Sequence, residues 1–178
     1  MIQLVIAGTD SRVVASACSA CPHSPAGCCA GPPRFDWSDI GRVVARGGLE
    51  WLIREIAMGS VAPTAGGLAI RERRGLARRS GPRMAKCAFH GVDGCTLAPE
   101  QRPATCNYFL CEPALAAVGP AQRAEASRAR ALQTDLAERF ARWDALLDAE
   151  VTARWPGGAP FDRAFLVWLG ARFEELTA

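Results

Sequence analysis

Apolar positions change their period from one part of the chain to the next. Ile2 to Ile6 and Val13 to Ala17 are short apolar runs rich in β-branched residues, which predicts two extended segments. From Ser38 to Gly59 the apolar residues Ile40, Val43 and Val44, then Leu49, Leu52, Ile53 and Ile56, follow the three-and-four spacing of a helix face. Gly47 and Gly48 divide this stretch into two helices, with Ser38 placed to cap the first and Gly59 to close the second. Leu68 to Arg73 and the approach to Cys87 read as strands in an otherwise Gly-containing, basic stretch. Beyond residue 118 the texture turns to Ala, Arg, Glu and Leu, and Leu132, Leu136, Phe140, Trp143, Leu147 and Val151 outline one long amphipathic helix. Trp155-Pro156-Gly157-Gly158 interrupts it. Phe161, Phe165, Trp168, Leu169, Phe173 and Leu176 then outline a last helix, predicted to pack on the long one as an antiparallel hairpin, with Trp143, Trp155 and Trp168 in its core.

These elements predict a mostly α fold, α+β with little strand. An irregular Cys-rich core over residues 1–118 would be braced by the helices between 38 and 58, with a C-terminal helical hairpin over residues 119–178 packed on it. A chain of 178 residues that is 49% hydrophobic is long enough to bury a real core. Residues 18 to 33 depart from this pattern: they are Pro, Gly, Ser and Cys, with Pro22, Pro25, Pro32 and Pro33 restricting the backbone. Such a loop buries too little apolar surface to order itself, so an ion or a covering core must hold it.

Eight cysteines change the picture most. They fall into two bunches, Cys18, Cys21, Cys28 and Cys29, then Cys87, Cys95, Cys106 and Cys111, with 57 residues between that hold none. The spacings are C-x2-C-x6-C-C and C-x7-C-x10-C-x4-C. Close thiolate pairs on a short loop lower the entropic cost of capturing a soft ion before distant ligands complete its shell. Residues 1 to 10 carry no basic flank, and the apolar run Ile2 to Ala7 is too short for a signal core or a membrane span, which predicts a cytoplasmic protein. In a reducing compartment an even cysteine count reads as metal or redox chemistry rather than a disulfide framework. Zinc in closed four-thiolate shells and an iron–sulfur cluster both suit these ligands, and spacing alone leaves both open. In the extended backbone expected there, adjacent Cys28 and Cys29 point opposite ways, so one of them serves a second ion, bridges two ions or stays spare.

The second bunch contains Gly94-Cys95-Thr96-Leu97 and Arg102-Pro103-Ala104-Thr105-Cys106, with Cys111 five residues further on. Together with the C-x2-C and Cys-Cys opening, these elements resemble the YkgJ-type cysteine-cluster proteins, a family described as a zinc- or iron-chelating domain. The resemblance covers about residues 18 to 111. It departs from the family pattern in a longer gap before Cys28-Cys29, and in Asn107, which stands where an Arg is usual. The resemblance implies metal chelation through the eight cysteines, with Arg102 supporting the site as a donor to a thiolate and Pro103 fixing the approach to Cys106. A related cysteine motif occurs in flagellin lysine methylases, but no substrate-binding part of such an enzyme is recognisable, and kinship of fold does not carry activity.

Other features weigh less. C-x2-C-x6-C is half of a fungal binuclear zinc cluster, yet the second bunch does not repeat the spacing. His23 and His90 lie inside the cysteine segments and read first as solvated loop histidines, since thiols are abundant there. Asp93 reads as a turn former. The run Arg71, Arg73, Arg74, Arg78, Arg79, Arg83 and Lys86 has no aromatic residue interleaved to stack on bases, so it reads as a solvated or thiolate-neutralising face. The charge balance is +3, from 21 basic and 18 acidic side chains. Two four-thiolate zinc sites, each contributing −2, would bring it to about −1. A metal ion is therefore the expected partner; a membrane is not expected, nucleic acid is disfavoured, and no protein partner is indicated. No nucleophile elbow, phosphate loop or zinc-protease helix motif is present in the sequence. Three classes remain: a metal-chelating module, an iron–sulfur redox or protein-modifying enzyme, and a zinc-stabilised interaction adaptor.

Overall fold

The computed structural model describes residues 2–15, 31–74, 85–91 and 94–178. The chain opens with a hairpin of β1 (Ile2–Ala7) and β2 (Asp10–Ala15), paired antiparallel from Ile2↔Ala15 to Ala7↔Asp10. Gly8, at φ +62°, supplies the left-handed turn position. Alternation buries Ile2 and Leu4 and leaves Gln3 and Val5 in solvent.

Two helices follow, α1 (Trp37–Ala45) and α2 (Leu49–Met58). Asp36, rather than Ser38, caps α1: its backbone is extended, and it forms a capping box with Asp39. Ser38 lies one residue inside α1, where its N–H donates to Asp144 Oδ1 at 3.2 Å. Gly59, left-handed at φ +69°, closes α2 as its position predicts.

Four short strands pair as β3 (Val61–Thr64) with β4 (Gly67–Ile70) and β5 (Glu72–Arg74) with β6 (Ala85–Cys87). The single strand expected from Leu68 to Arg73 is divided at Arg71. Its N–H donates to Ser60 O at 2.9 Å while its carbonyl accepts from Ala88 N at 2.9 Å, so the chain changes partners there. A two-residue pair, β7 (His90–Gly91) with β8 (Gly94–Cys95), completes the strands among the described residues. Next come two five-residue helices, α3 (Ala104–Tyr108) and α4 (Glu112–Ala116), then α5 (Arg123–Arg154) and α6 (Arg163–Thr177). Asp162 caps α6 by accepting from Phe165 N at 2.8 Å. The fold is mostly α, and its C-terminal helix hairpin has the predicted form.

Two apolar clusters hold the molecule together. One gathers Trp37, Ile40, Val43 and Leu52 from α1 and α2 against Leu147 and Val151 of α5, and Phe165, Leu169 and Phe173 of α6. The other gathers Ile2 and Leu4 with Ala104, Tyr108, Leu136 and Phe140. Trp143 packs against both. The α1–α6 contact is close enough to require glycine: a Cβ on Gly41 would lie 2.6 Å from Phe173 Cβ, and one on Gly170 would lie 2.6 Å from Val44 Cγ1. Among the described residues no helix is long and apolar enough to cross a membrane.

Candidate metal centre

The second cysteine bunch falls on described elements. Cys87 ends β6 opposite Glu72 and is buried. Cys95 ends β8 opposite His90 and is exposed. Cys106 lies on α3, exposed, and Cys111 follows α3, half-buried against the second apolar cluster. The first bunch, Cys18, Cys21, Cys28 and Cys29, lies outside the described residues with His23 and Asp93, as do Arg78, Arg79 and Arg83 of the basic run. Among the described residues no three His, Cys, Asp or Glu side chains converge as a ligand group.

The scaffold that holds these cysteines is built largely on main-chain acceptors. Thr96 donates to Phe89 O twice, through its N–H at 2.8 Å and its hydroxyl at 3.0 Å, which shuts the loop around β7 and β8. Phe89 in turn packs on Trp51 of α2, with ring centroids 6.1 Å apart. Arg102 donates from Nε to Leu97 O at 3.0 Å. This contact ties the end of the hairpin segment to the start of α3. Pro103 is the N-cap residue of α3, its φ fixed near −50°, so it does set the approach to Cys106. Asn107, buried, donates from Nδ2 to Pro99 O at 2.7 Å.

Two residues of α1 that the sequence did not single out complete the brace. Arg42, 1% exposed, donates to Asp10 Oδ1 at 3.1 Å, to Glu100 O at 3.4 Å and to Arg102 O. Its planar fork joins the first hairpin to the Arg-Pro segment in a way one ammonium group would not. Asp39 accepts the first N–H of α3, from Ala104, at 2.6 Å. Asp36 and Asp39, three apart at the start of an apolar period, carried the signal for the capping box. An arginine on the apolar face of α1 was the corresponding sign of a buried cation.

Beside α3, a cleft of about 510 Å3 opens between α1, α3 and α5. Its acidic lining consists of Asp36, Asp39, Asp144 and Asp148, with Arg34 at the rim. Each of the inner carboxylates has work within the fold: Asp144 receives Ser38 N, and Asp148 receives Trp37 Nε1 at 2.8 Å. Burial pushes Asp144 up from the ordinary carboxylate range. Asp39, fully enclosed, is pushed up to about 7, its desolvation outweighing the Ala104 N–H and the nearby Arg42 charge.

The donors present suit zinc or iron. Thiolates are the softest protein ligands, and imidazole serves both metals. Two buried side-chain polar atoms of this segment have no hydrogen-bond partner among the described residues, His90 Nδ1 and the amide oxygen of Asn107, as does Arg42 Nε on α1. Comparisons with models of known families, with curated proteins and with solved structures gave no match.

Proposed function

We propose that this protein chelates zinc or iron, the latter singly or as an iron–sulfur cluster, through thiolates drawn from residues 18–29 and 87–111. The observation that carries the reading is the exposure of Cys95 and Cys106 within a layout of eight cysteines in two bunches. Cysteines kept only for packing are among the most buried of residues, so two thiols held at the surface by a pinned hairpin and a clamped helix point to a chemical use. Arg42, Asp39, Arg102 and Asn107 support the same reading, because they fix the backbone on which those thiols stand. A prearranged set of ligands binds metal more tightly than a mobile one, by the same logic that makes outer-shell contacts worth about 10–100-fold in affinity.

The decisive experiment is purification without oxygen, followed by elemental analysis and an absorption spectrum. Colourless protein with stoichiometric zinc supports a chelating or structural site, while brown protein that bleaches in air supports iron–sulfur. Cys21→Ser or Cys106→Ser should lower metal content and stability together, since each opens a ligand position. Native protein without metal in molar proportion, or unchanged content in both variants, would refute the reading.

A further inference from the structure

We infer that His90 is a metal ligand beside Cys95, so that the ion nearest the β7–β8 hairpin sits in a mixed nitrogen–sulfur shell; this rests on the chelating function proposed above. Three observations lead there. First, the register pairs His90 directly with Cys95 and Gly91 with Gly94. Directly opposite residues in an antiparallel pair project to the same face, with Cβ atoms about 4.5–5.5 Å apart. A thiolate sulfur about 2.3 Å from zinc and an imidazole nitrogen about 2.0 Å from it stand about 3.6 Å from each other in a tetrahedral shell. Two side chains rising from one cross-strand pair span that separation without moving the backbone.

Second, His90 Nδ1 is enclosed and has no hydrogen-bond partner among the described residues. Buried polar atoms are almost always satisfied, and one that is not calls for a reason. Nδ1 is also the ring nitrogen nearer the backbone, the one a short reach from a cross-strand sulfur would engage, which leaves Nε2 to carry the proton.

Third, the hairpin is held in register from below. Thr96 closes it onto Phe89, and Phe89 is packed against Trp51. The pair is therefore a preset two-point hold rather than two loop residues that happen to be near. Among the described residues no third His, Cys, Asp or Glu joins His90 and Cys95, so these two side chains are the part of the shell that the hairpin itself presets.

The test uses the full chain, stripped of metal without oxygen and titrated with cobalt(II) and, by competition, with zinc. Wild type, His90→Gln, Cys95→Ser and Cys106→Ser are compared. The inference expects His90→Gln to weaken zinc binding by more than about 100-fold, beyond what loss of an outer-shell partner produces. It also expects the cobalt ligand-field bands to change position in this variant, because the ligand set itself has changed. Affinity within about threefold of wild type, with superimposable cobalt bands, would overturn it. If His90→Gln does not fold, nitrogen NMR of the wild-type protein decides. The chain has two histidines, and His23→Gln leaves one imidazole, whose Nδ1 resonance must move on zinc addition while Nε2 stays protonated; an unmoved Nδ1 refutes the assignment. Failure of this inference alone is recognisable, because Cys95→Ser and Cys106→Ser would still lose metal while His90→Gln keeps it. Failure of the underlying function shows instead as no uptake by wild type.

Discussion

Replacing Asp39 by asparagine tests how the helix that carries Cys106 is anchored. Asp39 is 5% exposed and gives one oxygen to Ala104 N at 2.6 Å and the other to Asp36 N at 3.4 Å. The groups facing it are Arg42, which favours the carboxylate, and Asp36, which opposes it. Burial dominates and lifts its pKa to about 7, against about 3.9 for an aspartate in the unfolded chain. At about 1.4 kcal/mol per pH unit, the ionised native form is disfavoured by about 4 kcal/mol. Between about pH 4 and pH 7 the native state keeps a proton that the unfolded chain has released, so stability falls as pH rises through this window and levels above it. The amide introduced by Asp39→Asn retains an oxygen for the Ala104 N–H and does not titrate. Urea unfolding of both proteins from pH 5 to pH 8, taken as wild type minus variant, cancels the titration of the thiols and other groups. Wild type should lose about 3 kcal/mol relative to Asp39→Asn across that range. A flat difference, or one that grows in favour of wild type at high pH, would mean that Arg42 and the backbone donor outweigh burial, and the account of this anchor would be wrong. Asp39→Ala, which strands the Ala104 N–H and dissolves the capping box, should cost about 2–4 kcal/mol at pH 5 by the same measurement.

Arg42→Met keeps the stem but leaves the carbonyls of Glu100 and Arg102 without this donor and removes one of the two arginines on Asp10, Arg46 Nε staying at 3.0 Å. Loss of about 3–5 kcal/mol is expected in denaturant unfolding, with faster proteolysis near residues 99–103, and Arg42→Lys should not restore the fork. Gly41→Ala forces a methyl to within 2.6 Å of Phe173 Cβ and 3.0 Å of Leu169 O; a loss of about 1–3 kcal/mol, read as a lower Tm, is expected, and an unchanged Tm would show that α1 and α6 can part. Chelation should lower Tm and loosen residues 85–111 in hydrogen exchange, yet leave most far-UV helical signal, because α1, α2, α5 and α6 contribute most of the large buried side chains of the apolar clusters, although Phe89, Leu97, Tyr108 and Leu110 of the cysteine segment also belong to them. Collapse of the helical signal on chelation would overturn that division.

The long helices were legible because their burial is periodic: Leu136, Phe140, Leu147 and Val151 lie on one face of α5, and Phe165, Leu169 and Phe173 on one face of α6. The small elements were not. α3 is five residues long, too short to propagate on intrinsic propensity, and it stands because Asp39 and Gln133 bond its ends, the latter through Leu110 N at 3.0 Å. Those partners are 65 and 23 residues away, beyond any local pattern. β3 escaped notice since Pro63 lies within it and proline marks an edge or an interruption. At the site, the cysteines themselves were legible from composition and spacing. Their neighbours were not, because the bond from Arg102 to the Leu97 carbonyl depends on backbone geometry that spacing does not display.

The 32 residues of α5 run as one rod past both apolar clusters. A fragment cut near residue 118 would therefore strip Leu136 and Phe140 from beneath Ile2 and Tyr108, and Leu147 and Val151 from beneath Trp37. The thiol-bearing half is not a detachable cassette. Grafting or trimming efforts must carry the distal helices along, because the platform that orients the sulfurs is completed by amino acids synthesised after all of them.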